Sequence, residues 1–134
     1  MAVNIESIIS ECRTCPIPIE SQKDMCSICI TQKLTRGKWT LLILWLLKNG
    51  EKRFSQIQKE IPQIKQGPLT LQLKELVNVG LVERKAYNEI PPKVEYSLTE
   101  KGIEFLSVMN AMDAWGKGYF KDVLRPNIFS KKTE

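Results

Sequence analysis

The stretch GLVERKAYNEIPPKVEYSLT, residues 80–99, decides the fold. Apolar and polar residues alternate over 81–87 and again over 93–98, with NEIPP at the tip between the two runs. A period of two puts successive side chains on opposite faces, so each run predicts a half-buried strand. The two prolines stiffen the connection, and the pair reads as a β-hairpin. Gly80 terminates the element before it, and Thr99 is suited to cap a helix after it.

On either side of the hairpin the spacing is helical. Leu69, Leu73, Leu76 and Val77 form the buried stripe of a helix over 68–79, with Gly67-Pro68 at its start. Before it, KRFSQIQKEIPQI (52–64) predicts a short helix with Ser55 as N-cap and Gln58 completing a capping box. That helix buries Ile57 and Ile61 and ends where Pro62 follows. KWTLLILWLLKNG (38–50) is a strongly apolar helix closed by Asn49-Gly50, and a further helical pattern runs from about Cys26 to Thr35. Ile5, Ile8, Ile9 and Cys12 mark a short amphipathic helix before Pro16 and Pro18 break the chain. After the hairpin, Phe105, Val108, Met109, Met112, Trp115 and Tyr119 lie near a heptad spacing, which predicts one long helix over 100–122. The tail from Pro126 is expected to fray. Three helices followed by a hairpin is the order of a winged helix-turn-helix, an α+β and mostly helical fold. The expected organisation is an N-terminal extension over 1–25, a DNA-binding domain over 26–122 and a tail over 123–134.

Charge distribution agrees with this. The chain has 20 Lys and Arg against 15 Asp and Glu, a formal net charge of +5. Residues 33–65 alone hold eight basic and two acidic side chains, whereas residues 1–25 hold two basic and four acidic ones. A basic middle suits a polyanion such as nucleic acid. The longest apolar stretch, Trp39–Leu47, is far shorter than the roughly 20 residues a membrane span needs, so a soluble, cytoplasmic protein is expected. The chain has no histidine, no Gly-rich phosphate loop and no nucleophile elbow, so nothing in it argues for an enzyme.

All four cysteines fall in CRTCPIPIESQKDMCSIC (12–29) as two CxxC pairs, Cys12 with Cys15 and Cys26 with Cys29. Four thiolates in two such pairs suit a tetrahedral Zn²⁺ ion. Paired thiols also suit a redox switch, CxxC pairs also ligate iron–sulfur clusters, and inert thiols complete the set of readings.

The pieces GKWTLLIL (37–44), RFSQI (53–57), IPQI (61–64), LTLQLKEL (69–76), GLVERKAY (80–87), PPKVEYSLTEKG (91–102) and MDAWG (112–116) resemble, in order and spacing, the HxlR-type winged helix-turn-helix transcriptional regulators. The resemblance covers about two-thirds of the chain. It implies a homodimer built by helices from both ends of the domain, each subunit placing one helix in the major groove of a double-stranded DNA operator. It also implies that Cys26 stands where many members carry a single cysteine, which in some relatives senses oxidants. Cys12, Cys15 and Cys29 are additional to that pattern.

With 68–79 as recognition helix, the stripe at 69, 73, 76 and 77 leaves Thr70, Leu71, Lys74, Glu75 and Asn78 facing the groove, with Gln72 at the flank. Lys65 and Gln66 precede it, near the anion-attracting N-terminus. Phosphate contacts are expected from Lys38, Arg53, Ser55 and Lys59, and from Arg84, Lys85 and Lys93 of the wing. Gly67-Pro68 departs from the family pattern, which has polar or basic residues there, and points to a later helix start. The competing reading is a small four-cysteine metal-binding or electron-carrier protein, or an adaptor that kept the winged fold without binding DNA.

Overall fold

The computed structural model describes residues 4–15 and 19–129. Two compact units divide between Ile103 and Glu104. The first begins with α1 (Ile5–Arg13) and α2 (Ile19–Leu34), then α3 (Thr40–Leu46), which tightens into a 3₁₀ turn over Leu47–Asn49. There follow β1 (Lys52–Arg53), α4 (Phe54–Glu60), α5 (Gln66–Asn78), β2 (Val82–Tyr87) and β3 (Lys93–Leu98), and the short α6 (Glu100–Glu104) runs up to the division.

Its core is the meeting of α3, α4 and α5. Ile43 and Leu44 of α3, Ile57 of α4 and Leu69 of α5 are fully shielded from solvent, and Leu47, Ile64, Leu73 and Leu76 nearly so. Each such side chain contributes about 1.5–3 kcal/mol relative to exposure. Ile61 and Ile64 are buried between α4 and α5, so the connection carries its own anchors. Val77, expected in the buried stripe of α5, is only half-buried.

α5 ends as its sequence predicts. Gly80 has φ +82°, a left-handed conformation that costs glycine nothing. The Leu81 N–H donates to the Leu76 carbonyl (3.0 Å) and the Gly80 N–H to that of Val77 (3.1 Å), the paired bonds of a Schellman motif. Leu76 and Leu81 are both buried, which fixes how the chain turns into the wing.

The hairpin forms with the expected runs, in the register Val82↔Leu98, Arg84↔Tyr96, Ala86↔Val94. The sheet has a third strand that the sequence did not announce: order β1-β3-β2, with Lys52↔Tyr96 and Arg53↔Glu95. Two residues are too few to show a period. Thr99 caps the helix after the hairpin, accepting from the Gly102 N–H at 3.1 Å and donating to the Gly80 carbonyl at 2.6 Å.

Several boundaries differ from expectation. α2 starts at Ile19, well before Cys26. α4 starts at Phe54 with Arg53 as N-cap, and the Arg53 N–H donates to Gln56 Oε1 at 2.8 Å. Ser55 is therefore inside the first turn, because pairing of Lys52 and Arg53 with β3 brings extended backbone up to Phe54.

The second unit holds α7 (Leu106–Tyr119), a π-helical turn over Phe120–Leu124 and α8 (Arg125–Phe129). The expected single helix over 100–122 is thus interrupted at Phe105, and helix continues beyond Pro126. Proline lacks the N–H that would continue the ladder. The Asn127 side-chain amide donates to the Val123 carbonyl (2.6 Å) and satisfies one acceptor there.

Candidate nucleic-acid interface

α4, the turn over residues 61–65 and α5 form the helix-turn-helix. The Ile61 N–H bonds the Ile57 carbonyl (3.0 Å) and the Ile64 N–H bonds that of Ile61 (3.1 Å), so the turn is tight and internally satisfied. α5 begins at Gln66, earlier than Gly67-Pro68 suggested, with Lys65 as N-cap. Pro68 lies in the first turn, where its missing N–H has no intrahelical acceptor in any case.

The exposed face of α5 is narrower than its apolar stripe implied. Gln66, Thr70, Leu71, Lys74 and Asn78 are exposed, as is Lys65 at the N-cap. Leu71 is 46% exposed, an apolar side chain held in water on this face. Thr70 Oγ1 donates to the Gln66 carbonyl (2.8 Å), which leaves its lone pairs and methyl outward.

Of the other polar residues of α5, Gln72 is half-buried and Asn78 exposed, and each accepts a hydrogen bond from within the protein. Gln72 Oε1 accepts from Thr40 Oγ1 at 2.8 Å, at the start of α3. Asn78 Oδ1 accepts from the Ile5 N–H at 3.1 Å. Glu75, expected to face the groove, is buried at 8% exposure, and its Oε2 has no hydrogen-bond partner among the described residues. Polar residue type made Glu75 look like a reading residue, whereas it is buried, and Gln72 is held by Thr40 of α3.

The wing divides by strand alternation. Val82, Arg84 and Ala86 point one way with their partners Leu98, Tyr96 and Val94. Arg84 and Tyr96 join Thr70, Leu73, Lys74 and Val77 in lining a groove of about 170 Å³ beside α5. Its floor is apolar and its rim carries the two cations Lys74 and Arg84. Tyr96 is the lining residue that motif reading missed; the register Arg84↔Tyr96 was its signal.

Lys85 and Lys93 lie on the other face of the wing. Their ammonium groups sit 5.2 and 4.7 Å from the Tyr87 ring centroid. The Tyr87 hydroxyl donates to Glu95 (2.9 Å), which also pairs with Lys93 (3.5 Å). These lysines are not on the groove side with Arg84. Arg53, Ser55 and Lys59 are exposed on α4 and its cap, and Lys38 is exposed with its ammonium 5.1 Å from the Trp39 ring centroid.

The cysteines sit on the first two helices. Cys12 is exposed in the last turn of α1, and Cys15 follows the Thr14 C-cap. Cys26 and Cys29 are neighbours one turn apart on α2, and all four are free thiols. Among the described residues, no three Cys, Asp or Glu side chains gather into a group able to hold a metal ion. No described helix is long and apolar enough to cross a membrane.

The HxlR-like helix-turn-helix family model matches residues 34–123. An HTH-type transcriptional regulator of Methanothermobacter thermautotrophicus is 45% identical over 95 residues, covering 71% of this chain and 72% of that protein. YkvN, an HTH-type transcriptional regulator of Bacillus subtilis, is 43% identical over 101 residues, covering 75% of this chain and 85% of its own. The structure of the redox regulator HypR in its reduced form superposes with a TM-score of 0.70 at 39% identity, covering 74% of this chain and 97% of HypR. With its winged helix-turn-helix and the family match over residues 34–123, this chain belongs to the HxlR-like family of DNA-binding transcriptional regulators.

Proposed function

We propose that the protein binds a specific operator as a homodimer in the cytoplasm, each subunit setting α5 in a major groove and its wing on the flanking phosphates. The observation that carries this reading is the groove where Thr70 and Lys74 of α5 face Arg84 of β2. Lys74 and Arg84 supply charge for the backbone. Gln66, Thr70 and Leu71 supply amide, hydroxyl and methyl groups suited to base edges. The second subunit is supported by α7, where Val108, Met112, Trp115 and Tyr119 are 40–69% exposed at spacings of four, three and four residues. Trp115 and Tyr119 stack with ring centroids 5.0 Å apart. A heptad-like apolar stripe in water is the signature of a helix that meets a partner.

The finer reading is that thiol oxidation adjusts operator affinity. It is supported by the free Cys26–Cys29 pair on α2 and by the likeness to the redox regulator HypR. Two thiols would give up two protons and two electrons to a peroxide, forming a disulfide and water. Zinc is the competing occupant, and elemental analysis with thiol titration separates the two. One zinc per chain with unreactive thiols defeats the redox reading.

The decisive experiment selects bound sequences from random duplex DNA and then titrates salt on the selected operator. Expected are a selected site with two related half-sites, a linear fall of log affinity with log salt, and a dimer mass by sedimentation. Recovery of no common sequence overturns the proposal.

A further inference from the structure

α1 precedes the residues matched by the family, so the family plan does not account for it. It is attached at both ends and in the middle. At its N-terminus Asn4 Oδ1 accepts from the Ser7 N–H (2.7 Å), and the Ile5 N–H, otherwise an orphan donor, reaches Asn78 Oδ1 (3.1 Å). The partly positive start of α1 thereby meets the partly negative end of α5, an attractive arrangement of the two dipoles. In the middle Ile8 is buried at 8% exposure. At the far end the Glu11 carboxylate accepts two hydrogen bonds from the Arg36 guanidinium, at 3.2 and 3.3 Å. Arg36 lies in the link between α2 and α3, so α1 ties that link to the last turn of α5.

We infer that α1 is a brace that sets how the DNA-reading helix is held, with Asn78 as its positioning residue. Asn78 therefore acts through α1 and not by reading bases. Glu11, at the other end of the brace, affects DNA binding without approaching DNA. The inference rests on the assignment of α5 as the recognition helix.

The test uses the full chain with Asn78→Ala, Glu11→Ala, the double variant, and Lys74→Ala as a check on α5. Operator affinity and amide hydrogen exchange are measured for each. Both brace variants are expected to speed exchange over residues 5–12 and to weaken operator binding about three- to tenfold, the scale of one or two lost hydrogen bonds. The slope of log affinity against log salt should stay at the wild-type value, because no phosphate contact is lost. The double variant should fall short of the product of the singles, because both act on one element. Unchanged exchange over α1 in both variants overturns the brace. So does wild-type affinity in Glu11→Ala with α1 exchange raised. A shallower salt slope, or relaxed preference at one base pair in Asn78→Ala, makes Asn78 a DNA contact and overturns its role. If Lys74→Ala binds like wild type, the assignment of α5 is at fault, and exchange over α1 still decides whether the brace exists.

Discussion

Gly37→Ala should destabilise the protein, although substituting this glycine should help on chain entropy alone. Gly37 does not sit in the left-handed region, so alanine fits the backbone and removes freedom from the unfolded chain, a gain of about 0.4–1 kcal/mol. Space decides the other way. A Cβ at Gly37 would overlap Thr40 Oγ1 and approach Gln72 Oε1 and Nε2 to 2.7 and 2.9 Å. The Gln72 amide is the end of a flexible chain and can swing aside. Thr40 cannot, being β-branched, 4% exposed and at the start of α3. The Thr40–Gln72 hydrogen bond must then break, a net loss of about 0.5–1.5 kcal/mol. Leaving the buried hydroxyl without a partner costs about 1–3 kcal/mol. The balance is about 1–3 kcal/mol of lost stability. Urea denaturation at fixed protein concentration, followed by tryptophan fluorescence, should show a midpoint lower by about 1 M for an m-value of about 1–3 kcal/mol/M. On a Thr40→Ala background the same substitution should cost about 1 kcal/mol less, since the blocking hydroxyl is gone. A Gly37→Ala protein as stable as wild type refutes the reasoning.

Four further outcomes follow from the same geometry. Glu75→Met should raise the urea midpoint, worth about 1–2 kcal/mol, because it removes a buried carboxylate oxygen without a partner; a lowered midpoint would mean that the carboxylate is satisfied in solution. Arg84→Ala should reduce the salt slope of operator binding by about one, and Lys85→Ala by clearly less, since Lys85 faces away from the groove; equal losses would contradict the division of the wing. The Arg36 guanidinium holds the Glu11 carboxyl below its ordinary value of 4.5, so their pairing contributes stability above that pH and loses it as pH falls through the folded value. The stability gap between wild type and Glu11→Gln should therefore close on acidification from pH 6 to 3, and a pH-independent gap rejects the pairing. Trp115→Glu should shift sedimentation from dimer toward monomer at micromolar concentration, with the wild-type mass counting against α7 as the interface.

Much of this protein is legible in its sequence because local rules and global fold agree. The run at 93–98 alternates, the short run at 81–87 ends before NEIPP, and together they read as the hairpin that forms; Gly80 supplies the left-handed residue that ends α5, and Thr99 caps the helix beyond it. The apolar stripe of α5 identified its core-facing side, and the family motifs pointed to α5 as the helix proposed to meet DNA. What remained hidden depends on partners distant in the chain. Lys52 and Arg53 are a strand only because β3 lies beside them, and that pairing moved the start of α4 to Phe54. Gln72, Glu75 and Asn78 have the residue types of a reading face, but Glu75 is buried, and Gln72 and Asn78 accept hydrogen bonds from Thr40 and Ile5, 32 and 73 positions away. Arg84 and Lys85 are adjacent and equally basic, and only strand alternation against α5 puts one in the groove and the other behind it. Sequence periodicity states which side of an element is apolar and therefore buried. Which polar side chains stay free for a ligand depends on the neighbours that compete for them, and tertiary structure alone decides that.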